Sequence, residues 1–153
     1  MSVLTFHRAT TADLPFIVGL IAADDVSDAS SSDPLDRELP AHRAALAAID
    51  RDPNQLLVLA TADGERVGTM QLSFLPGLAR GGMWRGLIEA VHIAPQYRNR
   101  GLGTEMIHWA LQTCRERGCG MVQLTSNKKR VDAHRFYCRL GFGQSHEGFK
   151  FFL

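Results

Sequence analysis

Apolar positions along the chain switch between two periods, and the switches mark the elements. Val3-Leu4-Thr5-Phe6-His7-Arg8 combines β-branched and aromatic side chains and predicts a first strand. Behind Thr10-Thr11-Ala12-Asp13, a cap followed by an early acid, Leu14, Ile17, Val18 and Ile21 recur at helical spacing. The stretch DDVSDASSSDPLDRELP is rich in Asp, Ser and Pro and predicts a loop, readable either as a surface connection or as a flap over a binding site. Ala41 to Ile49 is helical by propensity. Leu56 to Ala60 reads as a buried strand, Asp63-Gly64 as a hairpin turn and Arg66 to Phe74 as the antiparallel partner.

Pro76 to Gly86, PGLARGGMWRG, then interrupts the sheet. Leu87 to Ile93 resumes the two-residue alternation, with Leu87, Glu89, Val91 and Ile93 on one face, so that this face carries an acid. From Leu102 the period becomes helical: Met106, Ile107, Ala110, Leu111 and Cys114 form one stripe that ends near Gly118. Met121 to Leu124 is a further strand, Val131 to Leu140 a second amphipathic helix stopped by Gly141, and Phe149 to Leu153 a last strand expected to pack into the sheet. The order β-α-α-β-β-β-α-β-α-β predicts a mixed α/β sheet with helices on both faces.

A chain of 153 residues is the size of a single domain, taken here as residues 1–153. Formal net charge is only +1, so attraction for an anion has to be local, and neither nucleic acid nor a membrane is an expected partner. Cys114, Cys119 and Cys138 cannot pair completely and lack zinc-like spacing. They read as reduced thiols in a cytoplasmic protein, serving as small buried hydrophobes. The first residues lack the apolar core of a signal peptide, and no 18-residue apolar run occurs anywhere, which agrees with a cytoplasmic location. Nor does any histidine belong to a metal-like spacing, and no metal is expected.

The stretch APQYRNRGLGT, Ala94 to Thr104, lies between a strand and a helix. A helix starting near Gly101 has amides without intrahelical partners and a dipole that favours an anion. Glycines at 101 and 103 allow close approach, and Arg98 and Arg100 can add charge-assisted contacts. The segment reads as a diphosphate cradle, or more plainly as a turn that needs a positive φ. No Gly-Lys-Ser/Thr follows, which excludes a P-loop, and the G-x-G-x-x-G of a dinucleotide fold is missing.

Arg98-Asn99-Arg100-Gly101-Leu102-Gly103 resembles the R-x-x-G-x-G/A signature of the GCN5-related N-acetyltransferases (GNAT). The resemblance continues through the following helix, Gly120 to Leu124, Asn127 and the segment AHRFYCRLGF, Ala133 to Phe142. It implies a three-layer α/β/α fold with a mixed central sheet and a splay between the fourth and fifth strands. It further implies acetyl-CoA as cosubstrate, contacted by Val91, His92, Ile93, Arg98, Asn99, Arg100, Gly101, Leu102, Gly103, Thr104, Asn127 and Tyr137. By the same resemblance Tyr137 is the acid that protonates the departing thiolate, and Glu89 removes a proton from the acceptor amine directly or through water. A backbone amide near His92 or Ile93, at a β-bulge, would polarise the thioester carbonyl.

Each of these residues also has a plain reading. Tyr137 packs beside Phe136 and Phe142, Glu89 binds an ammonium ion as a simple anion, Asn127 makes an Asx-turn, and Lys128-Lys129-Arg130 is a solvated cap. The expected acceptor is the primary amine of a small molecule attacking directly in a ternary complex. A peptide amino terminus is the alternative acceptor, and an acyl-CoA-binding module without turnover is the alternative of another class. Acceptor contacts are sought in residues 24–43 and 76–85: Asp24, Asp25 and Asp28 for a cation, Arg80 and Arg85 for a carboxylate or phosphonate, Trp84 as a wall. A homodimer is a possible partner arrangement, with the FKFFL end joining an intersubunit sheet or closing the chain's own.

Overall fold

A computed structural model of the chain describes residues 3–24 and 40–153. Strand β1 (Leu4–Arg8) is followed by helices α1 (Leu14–Asp24) and α2 (Pro40–Arg51), then by β2 (Gln55–Ala62) and β3 (Glu65–Leu75). A short turn with left-handed residues, α3 (Ala79–Gly82), precedes β4 (Arg85–Ile93), α4 (Leu102–Glu116), β5 (Met121–Leu124) and α5 (Val131–Arg139). The sheet order is β1-β2-β3-β4-β5, and the first four strands are antiparallel neighbours. Asp63 and Gly64 both adopt positive φ, 50° and 83°, the backbone of the tight hairpin turn that the Asp-Gly pair predicts.

Helix α1 begins at the predicted cap. The Thr10 amide donates to Asp13 Oδ2 at 2.8 Å, and the Arg66 guanidinium donates to Asp13 Oδ1 at 2.9 Å, so one buried carboxylate ties the helix start to β3. Burial alone would push the Asp13 carboxyl up, but the hydrogen bonds from Thr10 and Arg66 outweigh it and hold the group below its ordinary value.

Two apolar layers follow from the strand alternation. Leu57 and Leu59 of β2 pack with Ala9, Leu14, Ile17 and Leu46, so α1 and α2 cover one face. The intervening positions of the sheet face α4, whose Met106, Ile107, Ala110 and Cys114 are buried, and Phe6 of β1 stacks on Trp109 at 4.8 Å. Each fully buried side chain of this layer contributes about 1.5–3 kcal/mol. Strand β4 runs so close beneath α4 that a Cβ at Gly86 would run into Cys114 Sγ. Residue 86 therefore has to be glycine for steric reasons.

Strands β4 and β5 meet at their first residues. The Gly120 amide donates to the Trp84 carbonyl at 2.9 Å, and Arg85 Nη1 donates to Gln123 Oε1 at 3.3 Å. Beyond that point the strands splay, giving the mixed three-layer α/β/α arrangement. The chain divides into two compact units, Met1–Gln123 and Leu124–Leu153. The second holds α5 and the residues that follow it.

Two expectations need correction. The terminal FKFFL segment is not a strand: Phe149, Phe151, Phe152 and Leu153 are 92 %, 88 %, 89 % and 116 % exposed and join no ladder. Strand-forming side chains stabilise a strand only through cross-strand neighbours, and here apolar residues fall on both sides of the segment, so alternation gives it no single face to bury. The second correction concerns β4. Between the pairs Gln71–Glu89 and Thr69–His92, β3 advances two residues and β4 three, so β4 contains a bulge. Inserting one residue reverses the alternation beyond it. Leu87, Glu89 and His92 therefore share the α1 side, while Ile93 moves to the side of Ile88.

Candidate functional site

The bulge sits at Ala90 and Val91, which have no partner in the β3–β4 register. Ala90 takes φ 49°, a left-handed conformation rare for a residue with a Cβ, so the distortion is held by its surroundings. Glu89 precedes it, exposed on the sheet and opposite Gln71. Among the described residues no side chain pairs with the Glu89 carboxylate. The bulge and a carboxylate thus stand side by side. His92 and Ile93, expected to border the bulge, lie just past it, opposite Thr69 and Gly68.

From Ile93 the chain enters a short turn, Pro95–Tyr97, and then the glycine loop. Asn99 has φ 59° and Gly101 has φ 79°, two left-handed residues separated by Arg100. Gly101 is the N-cap of α4, and the Glu105 amide, bonded to the Gly101 carbonyl at 3.3 Å, is the first to enter the helical ladder. The amides of Leu102, Gly103 and Thr104 come before it. A Cβ at Gly101 would meet nothing within 4 Å, so glycine is needed here for its dihedral, and the space beside it is open. Left-handed turns leading into a 15-residue helix are a setting in which free backbone amides can receive an anion.

The loop's arginines are engaged within the protein. Arg98 Nε donates to the Ile93 carbonyl at 3.0 Å and its Nη2 to Asp24 Oδ1 at 2.7 Å, while the Arg100 guanidinium lies over the Tyr97 ring at 5.6 Å. Asp24 Oδ2 accepts from His92 Nδ1 at 2.9 Å. Burial opposes ionisation of Asp24, but hydrogen bonds from His92 and Arg98 and their charge outweigh it, so its carboxyl titrates below the ordinary range. Both Asp24 oxygens are thus engaged by side chains of the protein, Arg98 and His92. Sequence reasoning missed this link, because nothing in local spacing connects residues 24, 92 and 98.

Of the other acceptor-side candidates, Arg85 holds Gln123, Trp84 is 38 % exposed, and Arg80 is exposed with φ 54°. Asp25 and Asp28 lie outside the described residues. Among the described residues no group of three His, Cys, Asp or Glu side chains is placed to hold a metal ion, and no helix is long and apolar enough to cross a membrane.

Within the second unit, Asn127 Oδ1 accepts the Lys129 amide at 2.9 Å, an Asx-turn, and the Asn127 carbonyl accepts the Arg130 amide and His134 Nε2–H. Tyr137 is half-buried, with its ring edge-on to Phe136 at 5.1 Å and to Phe142 at 5.7 Å. Helix α5 ends with the Phe142 amide on the Tyr137 carbonyl and the Gly141 amide on the Cys138 carbonyl, Gly141 being left-handed at φ 100°. This is a Schellman cap, and the Phe142–Tyr137 contact is the apolar pair that accompanies it. Burial pushes the Tyr137 hydroxyl up, against a smaller opposing effect of Arg130, so the phenol keeps its proton at neutral pH.

Comparison with known proteins agrees with this geometry. The model of the acetyltransferase (GNAT) family matches residues 23–142. The aminoalkylphosphonate N-acetyltransferase of Salmonella typhimurium is 35 % identical over 148 residues, 95 % of this chain and 89 % of that protein. The glucosamine 6-phosphate N-acetyltransferase of Trypanosoma brucei brucei is 39 % identical over 84 residues, 55 % of this chain and 54 % of that protein. A solved structure described as a transcriptional regulator from Bacillus halodurans C-125 superposes with a TM-score of 0.86 at 38 % identity, covering 99 % of this chain and 100 % of that one. With a bulged fourth strand, a glycine loop opening α4 and a family match across most of its length, the chain belongs to the GNAT family of acetyltransferases.

Proposed function

We propose that this protein transfers the acetyl group of acetyl-CoA to the primary amine of a small molecule that also carries a phosphonate or phosphate group. The observation that carries the chemistry is the single segment 89–104, in which an exposed carboxylate, a β-bulge and a glycine loop opening a helix follow one another. The acceptor class rests on the two N-acetyltransferases similar to this chain, whose names pair an amine with a phosphorus oxyanion.

Glu89 takes a proton from the acceptor ammonium, directly or through water, because only the neutral amine attacks. The amine nitrogen bonds the acetyl carbon and the carbon–sulfur bond breaks, the surplus proton on nitrogen passes through solvent to restore the Tyr137 phenol, and the bulge amides polarise the carbonyl oxygen throughout. Tyr137 gives its hydroxyl proton to the leaving sulfur, a role suited to a phenol whose ionisation is opposed by burial. Arg85 is the cation assigned to the acceptor's oxyanion, with Trp84 beside it in sequence. The test is acetyl-CoA consumption against aminoalkylphosphonates, amino-sugar phosphates, amino acids, polyamines and short peptides. Preferred turnover of the phosphorus-bearing amines, lost in Glu89→Gln, supports the reading. Preference for peptides or polyamines sinks the acceptor assignment.

A second reading has one observation in its favour: the 38 % identical chain is described as a regulator. Coenzyme binding without turnover of any amine would put that non-catalytic role first.

A further inference from the structure

Asp24 lies on α1, and its carboxyl is held ionised by the partners it bonds. Its two oxygens bond partners from two further places: His92 on β4 at 2.9 Å and Arg98 in the coenzyme loop at 2.7 Å. Arg98 in turn folds back to the Ile93 carbonyl at 3.0 Å. Two faces of the guanidinium fork are thus used inside the protein. The loop's first limb is fastened to the end of β4 and to α1 just before the left-handed Asn99 and Gly101 set the direction of the amides.

We propose that Asp24 is a positioning residue for coenzyme binding, acting through Arg98, and that Arg98 serves as the clasp of the loop instead of as a ligand of the diphosphate. This deepens the acetyl-CoA reading and rests on it. Two competing ideas give opposite signs. If Asp24 acted only through its field, it would repel an anionic coenzyme, and neutralising it would tighten binding. As half of a clasp, its loss loosens the loop and weakens binding. If Arg98 acted as a point charge on phosphate, lysine would replace it. A lysine cannot reach the Ile93 carbonyl and Asp24 together in the geometry of a planar fork, so a clasp fails with lysine.

The experiment is calorimetric titration of CoA into the full chain at fixed ionic strength, for wild type, Asp24→Asn, Arg98→Lys and the double variant, each below its melting temperature. The expected result is CoA affinity lowered about tenfold in each single variant, with the double variant no weaker than either, as for two halves of one interaction. Unchanged or tighter binding by Asp24→Asn, or wild-type affinity in Arg98→Lys, overturns the proposal. Should Asp24→Asn fail to fold, Arg98→Lys decides alone. A wild-type chain that binds CoA while the variants match it overturns only the clasp. A wild-type chain that binds no CoA overturns the coenzyme reading and the clasp with it.

Discussion

Helices α4 and α5 end in the same way and carry opposite cargoes. At α4 the Cys119 amide bonds the Cys114 carbonyl and the Gly118 amide the Arg115 carbonyl, with Gly118 at φ 83°. At α5 the same two bonds join Phe142 to Tyr137 and Gly141 to Cys138. In each cap the residue beyond the glycine touches the one five positions back. That pair is two thiols in α4, with Cys114 buried, and a phenol against a phenyl ring in α5. A backbone motif fixes where a side chain is held and leaves its chemistry open. One cap closes a core, while the other holds the proposed acid.

Substitutions at matched positions break the pairing of the two caps. Tyr137→Phe is expected to lower kcat about a hundredfold or more with the melting temperature unchanged. Cys114→Ala is expected to cost about 1–2 kcal/mol in denaturant unfolding and to leave turnover per folded molecule intact. A Tyr137→Phe enzyme at wild-type rate would remove the contrast.

Gly118→Ala and Gly141→Ala each force an L-residue into the left-handed region, at about 1–2 kcal/mol of stability. Equal losses of stability are expected from the two, but only Gly141→Ala should also reduce kcat, by disturbing the turn that seats Tyr137. Equal turnover in both variants would show that the cap does not aim the phenol.

The smallest effect is in pH. Burial raises the Cys114 thiol from about 9 to about 11, aided by Cys119, so the folded state keeps a proton that the unfolded chain releases. Its contribution to stability is complete below about 9 and is lost as pH rises through about 11, and Cys114→Ala should flatten that fall in pH-dependent unfolding. At the other cap Tyr137 is also raised, so the alkaline fall of turnover should lie above the ordinary phenol value. An alkaline limb at or below that value would assign it to another group.

Much of this was legible because it is local. Asp63-Gly64 demands a particular turn, Thr10 and Asp13 a particular helix start, and the stripe from Met106 to Cys114 a buried face. The glycine loop was legible for the same reason, since its backbone needs are written at the residues themselves. The bulge was not: counting by twos through Glu89, Ala90 and Val91 carries the alternation past an inserted residue that only pairing with Gln71 and Thr69 reveals. Ala90 adds no hint, as alanine is not a residue favoured at positive φ. The Asp24–Arg98 clasp joins positions 74 apart, beyond any periodicity. The terminal segment misled because propensity was read where no partner strand was available.

Gly86 gives the fold a mechanical property. Helix α4 is a rod of 15 residues, about 22 Å long at the standard rise per residue. Its far end rests on β4 at Cys114 with no room for even a methyl group between them. The helix that opens at the glycine loop is thus seated, near its opposite end, on a backbone bare enough to leave only a hydrogen atom beneath Cys114.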